Sequence, residues 1–216
     1  MDNETVFSPM FRKKANNYMI QAENARKRFL GYDTEVLARK FSLKADETYL
    51  YAPMMGREYR IERSTGRMEK KIGEVWADGS SFAETLTLFD VLCDSKPGAK
   101  LSGSWKAMRD FGLQFHQGLL EQDDNPDAAF FDAHPAVLTK GCLALGGVPM
   151  PGADLGYAVP AVLGVPVWVQ FWHSDEEFAP RLRYLWDENA LQFIRYETMW
   201  YAVGLLLERI KEEGHQ

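Results

Sequence analysis

The chain has 216 residues, a formal net charge of −6, a hydrophobic fraction of 46% and a charged fraction of 26%. That is the balance of an ordinary globular protein, large enough to build a core without disulfides, and its acidity argues against a nucleic-acid partner, which would need clustered Lys and Arg. Two cysteines with no C-x-x-C motif exclude a disulfide scaffold and a four-Cys iron–sulfur cluster, so Cys93 and Cys142 read as free buried thiols of a reducing compartment.

The N-terminus, M-D-N-E-T-V-F-S-P-M-F-R-K-K, lacks the apolar run of a secretory signal. Residues 9–30 then predict a first helix, with Phe11, Ala15, Tyr18, Met19, Ala22, Ala25 and Phe29 at helical spacing and Gly31 as its stop. The basic residues Arg12–Lys14 and Arg26–Arg28 read as its solvated face. Asp33 or Thr34 caps a second, short helix to Phe41.

From Thr48 to Met68 the pattern changes to a β-meander. Tyr49 and Tyr51 alternate with Leu50, Tyr59 and Ile61 alternate with charged neighbours, and Gly56 and Ser64–Thr65–Gly66 supply turns. Ser81 and Glu84 form a capping-box pattern that opens a helix to about Asp94. Residues 105–115 fit either a short strand or a helical turn, and residues 121–127 form a polar loop. Pro135 starts a helix that Gly146–Gly147 ends. Residues 149–152, P-M-P-G, read as a long loop or hinge.

Residues 158–172 are the longest apolar stretch. Pro160, Gly164, Pro166 and Gln170 interrupt it, and it is shorter than the ~20 residues that span a bilayer. No membrane partner and a cytoplasmic location are therefore expected. Residues 165–172 predict a central strand. Val165, Val167, Val169 and Phe171 share one face, and Trp168, Gln170 and Trp172 share the other. Pro180 predicts a short helix to Trp186, and residues 196–212 a last helix with a clean apolar stripe.

The strand ends abruptly in His173, Asp175, Glu176 and Glu177. Aromatic rings flanking an amide can grip and orient a flat ligand. Adjacent carboxylates can act in acid–base chemistry or bind a hard cation, although acidic residues also suit the start of a helix. His173-x-Asp175 has the spacing of part of a facial-triad metal site, with Asp132 and His134 as an upstream pair; the pattern assigns no metal. Phosphate-loop, dinucleotide, zinc-protease and nucleophile-elbow motifs are absent. Whether the chain is an enzyme, and which cofactor it would use, stays open.

Several segments in order resemble one family. They are G-R-E-Y-R-I-E (56–62), L-T-L-F-D-V-L (86–92), L-S-G-S-W (101–105), A-L-G-G-V-P (144–149) and the 165–180 segment with its D-E-E-F block. Together, over about residues 34–210, they resemble the bacterial and archaeal domain of unknown function family 3786, common in anaerobes. The family brings no agreed activity or catalytic residues. Some members are described as iron–sulfur proteins because of an added cysteine-rich segment, which this chain lacks. The resemblance therefore implies no more than a link to redox or cofactor metabolism in an anaerobe, and it favours the acidic block as a site.

The expected fold is α+β, a mostly antiparallel sheet with helices packed on it. Residues 1–40 would be an N-terminal helical extension and residues 41–216 a single domain. The leading functional expectation is a protein that binds a small molecule or cofactor, of tetrapyrrole type for example, or a redox partner protein. The site would be Trp168, Gln170, Trp172, His173, Asp175, Glu176 and Glu177. The alternatives are an enzyme using the His173–Glu177 cluster and a protein–protein interaction module.

Overall fold

The computed structural model describes residues 15–111 and 125–216. The expectations for residues 9–14, 112–115 and 121–124 lie outside them. The architecture is α+β, with a nine-stranded sheet among the described residues and every strand pairing antiparallel. Helices α1 (Ala15–Phe29) and α2 (Thr34–Phe41) precede a four-strand meander, β1 (Tyr49–Met54), β2 (Arg57–Glu62), β3 (Met68–Ile72) and β4 (Val75–Ala77). Helix α3 (Phe82–Asp94) follows, then β5 (Trp105–Ala107), helices α4 (Pro126–Ala133) and α5 (Pro135–Ala144), and the short β6 (Val148–Pro149). Strands β7 (Leu155–Val162), β8 (Val165–Trp172) and β9 (Arg181–Asp187) lead into the final helix α6 (Tyr196–Gly214).

The strand order is β4-β3-β2-β1-β7-β8-β9-β5, with β6 beside β7. Two tight hairpins fix the registers of the meander and of the central strands. Met55 and Gly56 join β1 to β2, and Leu163 and Gly164 join β7 to β8, all four with positive φ. Two successive positive φ values give the type I′ turn whose twist matches the flanking strands. Glycine at the second position relieves half of the strain that Met55 and Leu163 accept.

One face of the sheet, called inner here, carries Leu50, Ala52, Met54, Tyr59, Ile61, Val159, Val167, Val169, Phe171, Leu182, Tyr184 and Trp186, all buried. Helices α3 and α6 share this core through Leu88, Phe89, Leu92, Met199, Val203, Leu206 and Ile210. The capping box forms as the spacing predicts: Ser81 accepts from the Glu84 amide and Glu84 accepts from the Ser81 amide. Glu84 is itself buried and also accepts from Tyr59 (2.8 Å) and Lys70 (3.1 Å), tying α3 to β2 and β3.

Two expectations fail. Residues 181–186 are not a helix started by Pro180. They belong to β9, because Leu182, Tyr184 and Trp186 alternate with Arg181, Arg183 and Leu185 against β8. Pro180 instead ends the connecting loop, where it needs no amide donor. Arg28 also leaves the solvated face of α1 and pairs with buried Asp90 on α3, while Thr198 on α6 donates to the same carboxylate. That contact and Phe29, fully buried against Phe89, seat α1 on the core. The ambiguous segment resolves as β5 followed by a 3-10 turn, Met108–Phe111.

Candidate functional site

Antiparallel partners lie on the same side of a sheet, so the ladder assigns the outer face directly. One row crosses it as Gly156, Gln170 and Arg183. The next row is Ala158, Trp168, Leu185 and Ala107, and a third pairs Trp172 with Arg181. The β7 members of the first two rows, Gly156 and Ala158, are small, which leaves room beside Gln170 and Trp168. Trp105 meets Trp168 edge to face at 5.6 Å. The Arg181 guanidinium lies 5.9 Å from the Trp172 ring.

Gln170 is 5% exposed. Its Oε1, the Trp168 Nε1 and the Arg183 Nε are all buried without a hydrogen-bond partner. Each buried orphan costs about 1–3 kcal/mol, and three on one face amount to a sizeable share of a typical ~5–15 kcal/mol stability. Two glycines crowd in beside them. A Cβ on Gly156 would sit 3.4 Å from Trp168 Nε1, and one on Gly152 would sit 3.7 Å from Gln170 Nε2. Gly156 has a further constraint, since its Cβ would meet the Met150 carbonyl oxygen at 2.5 Å.

The acidic end of the predicted site is divided. His173 turns to the inner side: its ring packs on Phe171 at 4.9 Å, and its Nδ1 lies 3.0 Å from Asp132 on α4. Ser174 donates its hydroxyl to the same carboxylate at 2.6 Å. The Ser174 bond and then the His173 contact hold the Asp132 carboxyl below its ordinary pKa. Asp175 builds the turn, accepting from the amides of Glu177 and Phe178, both at 2.8 Å. Glu176 and Glu177 are exposed in the loop between β8 and β9. His134 turns to Phe130 at 5.0 Å. Among the described residues, no group of three or more His, Cys, Asp and Glu side chains is placed to hold a metal ion.

Trp168, Gln170 and Trp172 thus share one surface, and His173 stands on the other side of the sheet. The sequence reading missed Arg181, Arg183 and Trp105. The signal was present: R-L-R-Y-L-W-D has a strand's period of two, which the helix expected after Pro180 concealed.

Asp187 shows why L-S-G-S-W matters. This buried carboxylate accepts from the amides of Ser102 (3.0 Å), Gly103 (2.8 Å) and Asn189 (2.9 Å), and from the Ser102 hydroxyl (3.1 Å). Burial pushes its pKa up, but those bonds outweigh it and leave the group below its ordinary value. The 101–104 loop is thereby pinned to the end of β9, which positions Trp105 against Trp168.

The thiols are inert by environment. Burial pushes Cys93 up to about 11 and Cys142 up to about 12. A separate open groove of about 960 Å³ lies between α1 and the β2–β3 turn. Its cations are already paired, Arg26 with Glu23 at 2.6 Å and Arg67 with Asp78 at 2.7 Å. Unpartnered buried polar atoms also occur in the core, at Thr87, Trp186 and Tyr196, and three more fall together on the outer face. Among the described residues, no helix is long and apolar enough to cross a membrane.

Neither a curated protein nor a solved structure matches the chain. A family model described as a domain of unknown function does match it, over residues 33–209, and the chain belongs to that family, DUF3786.

Proposed function

We propose that this protein is a binding protein for a small organic ligand or cofactor, held on the outer face at Trp168, Gln170 and Trp172. The observation that carries the reading is that three of the unpartnered buried atoms, Trp168 Nε1, Gln170 Oε1 and Arg183 Nε, fall on adjacent rows of one sheet face. Native proteins rarely leave such groups unpaired, and each instance needs an explanation. A ligand supplying one donor and two acceptors would satisfy all three. Indole faces would supply most of its apolar contact. Asp175, Glu176 and Glu177 would border the end of the site next to Trp172. A place in the redox or cofactor metabolism of an anaerobe is the biological setting this reading favours.

The enzyme alternative draws less support. Asp132 and Ser174 engage His173, and the Asp175 carboxylate is used by its own turn. Ordered water is the rival occupant of the outer face, and a titration separates the two. Tryptophan fluorescence of the full chain would be followed with flavin, nicotinamide and tetrapyrrole cofactors. Saturable quenching that disappears in Trp168→Phe/Trp172→Phe supports the reading. No response to any of them, with ordered water on the three orphaned atoms in a crystal structure, removes it.

A further inference from the structure

The outer face contains its own control for how this sheet treats an arginine among aromatic rings. On the meander half, the Arg60 guanidinium lies 4.2 Å from the Tyr49 ring and 4.7 Å from the Trp76 ring, and its Nε bonds Glu69 at 2.5 Å. That cation has two π faces and a carboxylate. It is complete without any ligand.

Arg183 is the counterpart on the other half and has none of these. It forms no ion pair among the described residues, and its buried Nε has no acceptor. Arg181, one pleat along on the same face, touches only the edge of the distance range for a cation–π contact, at 5.9 Å from Trp172. The nearest carboxylate on this face of β9 is Asp187, already occupied by amides of the 101–104 loop and Asn189. Among the described residues neither Arg183 nor the exposed Arg181 forms an ion pair, and both share the face that carries two indoles and a buried amide, with the acidic loop only at its Trp172 end. A desolvated cation without an anion is costly, and arginine is the side chain best suited to grip a planar anionic group through paired donors.

We infer that the ligand of this face is an aromatic anion, a planar ring system bearing a carboxylate, sulfonate or phosphate. The ring rests against Trp168 and Trp172, the anionic group accepts from Arg183 with Arg181 as the second cation, and Gln170 Oε1 receives a donor from the ring. This rests on the binding reading above and goes beyond it by fixing the ligand's charge.

Two dyes of matched ring structure test it on the full chain. One is 8-anilinonaphthalene-1-sulfonate; the other, N-phenyl-1-naphthylamine, is the same skeleton without the anion. Binding is read by energy transfer from tryptophan, and Trp168→Phe and Trp172→Phe report whether the dye sits on this face. The expected result is at least ~10-fold tighter binding of the sulfonate, a difference of about 1.4 kcal/mol. Arg183→Gln should reduce that preference to within about threefold, and Arg183→Lys should retain part of it. Should the Gln variant not fold, Arg181→Gln and the Lys variant give the same comparison. Equal affinity of the wild type for both dyes overturns the anion assignment and leaves the binding site standing. Transfer that is insensitive to both Trp substitutions, or none at all, overturns the assignment and the site together.

Discussion

Gln170 and Arg183 stand directly opposite one another on β8 and β9, and neither satisfies the other. A well-paired interior would have joined them. Sites that wait for a ligand commonly trade stability for function. Gln170→Met removes one orphan while keeping volume, so it should raise stability by about 1 kcal/mol. It should also weaken any ligand that the outer face binds. Urea unfolding of both proteins checks this; a loss of more than about 1 kcal/mol would mean that the amide is already satisfied.

Helices α5 and α6 approach through glycine. A Cβ on Gly141 would land on the Ile210 carbonyl oxygen, and one on Gly214 would land on the Val137 carbonyl. Gly141→Ala should therefore cost about 2–3 kcal/mol by overpacking. Gly204, also on α6, has open space around its Cβ position. Gly204→Ala should instead stabilise by about 0.5–1 kcal/mol through helix propensity. Thermal melts of the pair should move in opposite directions.

Acid stability should depend on Glu84 and Asp187. Burial raises both, but the Ser81 amide, Tyr59 and Lys70 hold Glu84 below its ordinary 4.5. The loop amides hold Asp187 below its ordinary 3.8. A carboxylate whose folded pKa is depressed stabilises the fold above its unfolded value and loses that contribution as pH falls through the folded value. Stability should thus be flat from neutral pH to about pH 5 and fall below it. Glu84→Gln should cost about 2 kcal/mol at neutral pH and reduce the acid slope. Urea midpoints across that range would show it; an unchanged slope would contradict it.

Neither cysteine should act as a nucleophile. With thiols pushed up to about 11 and about 12 by burial, Cys93 and Cys142 should resist iodoacetamide in the folded protein and react fully on denaturation. Rapid native labelling of either, read by mass spectrometry, would place it in a different environment.

Much of the fold was legible because its patterns are local. Ser81 and Glu84 announce α3, Gly56 marks a hairpin, and the alternation from Val165 to Trp172 assigns both faces of β8. β9 was hidden because Pro180 suits a helix start as well as a loop end, and only the pairing with β8 decides between them. The site was half legible for the same reason. The parity of β8 groups Trp168, Gln170 and Trp172, but the parity of His173 sends it to the other side, and adjacency in sequence conceals that. Arg183 gains its significance from Gln170 across the ladder, a relation that no single segment contains.

Binding on the β7–β9 part of the outer face can be watched directly. Indole N–H resonances from Trp168, Trp172 and Trp105, assigned by single Phe substitutions, report on it most directly during a fragment screen by NMR. Anionic aromatic fragments should shift the Trp168 and Trp172 signals and leave buried Trp186 unmoved. Fragments that bind while those two signals stay fixed, or that gather in the groove beside α1, would contradict binding there.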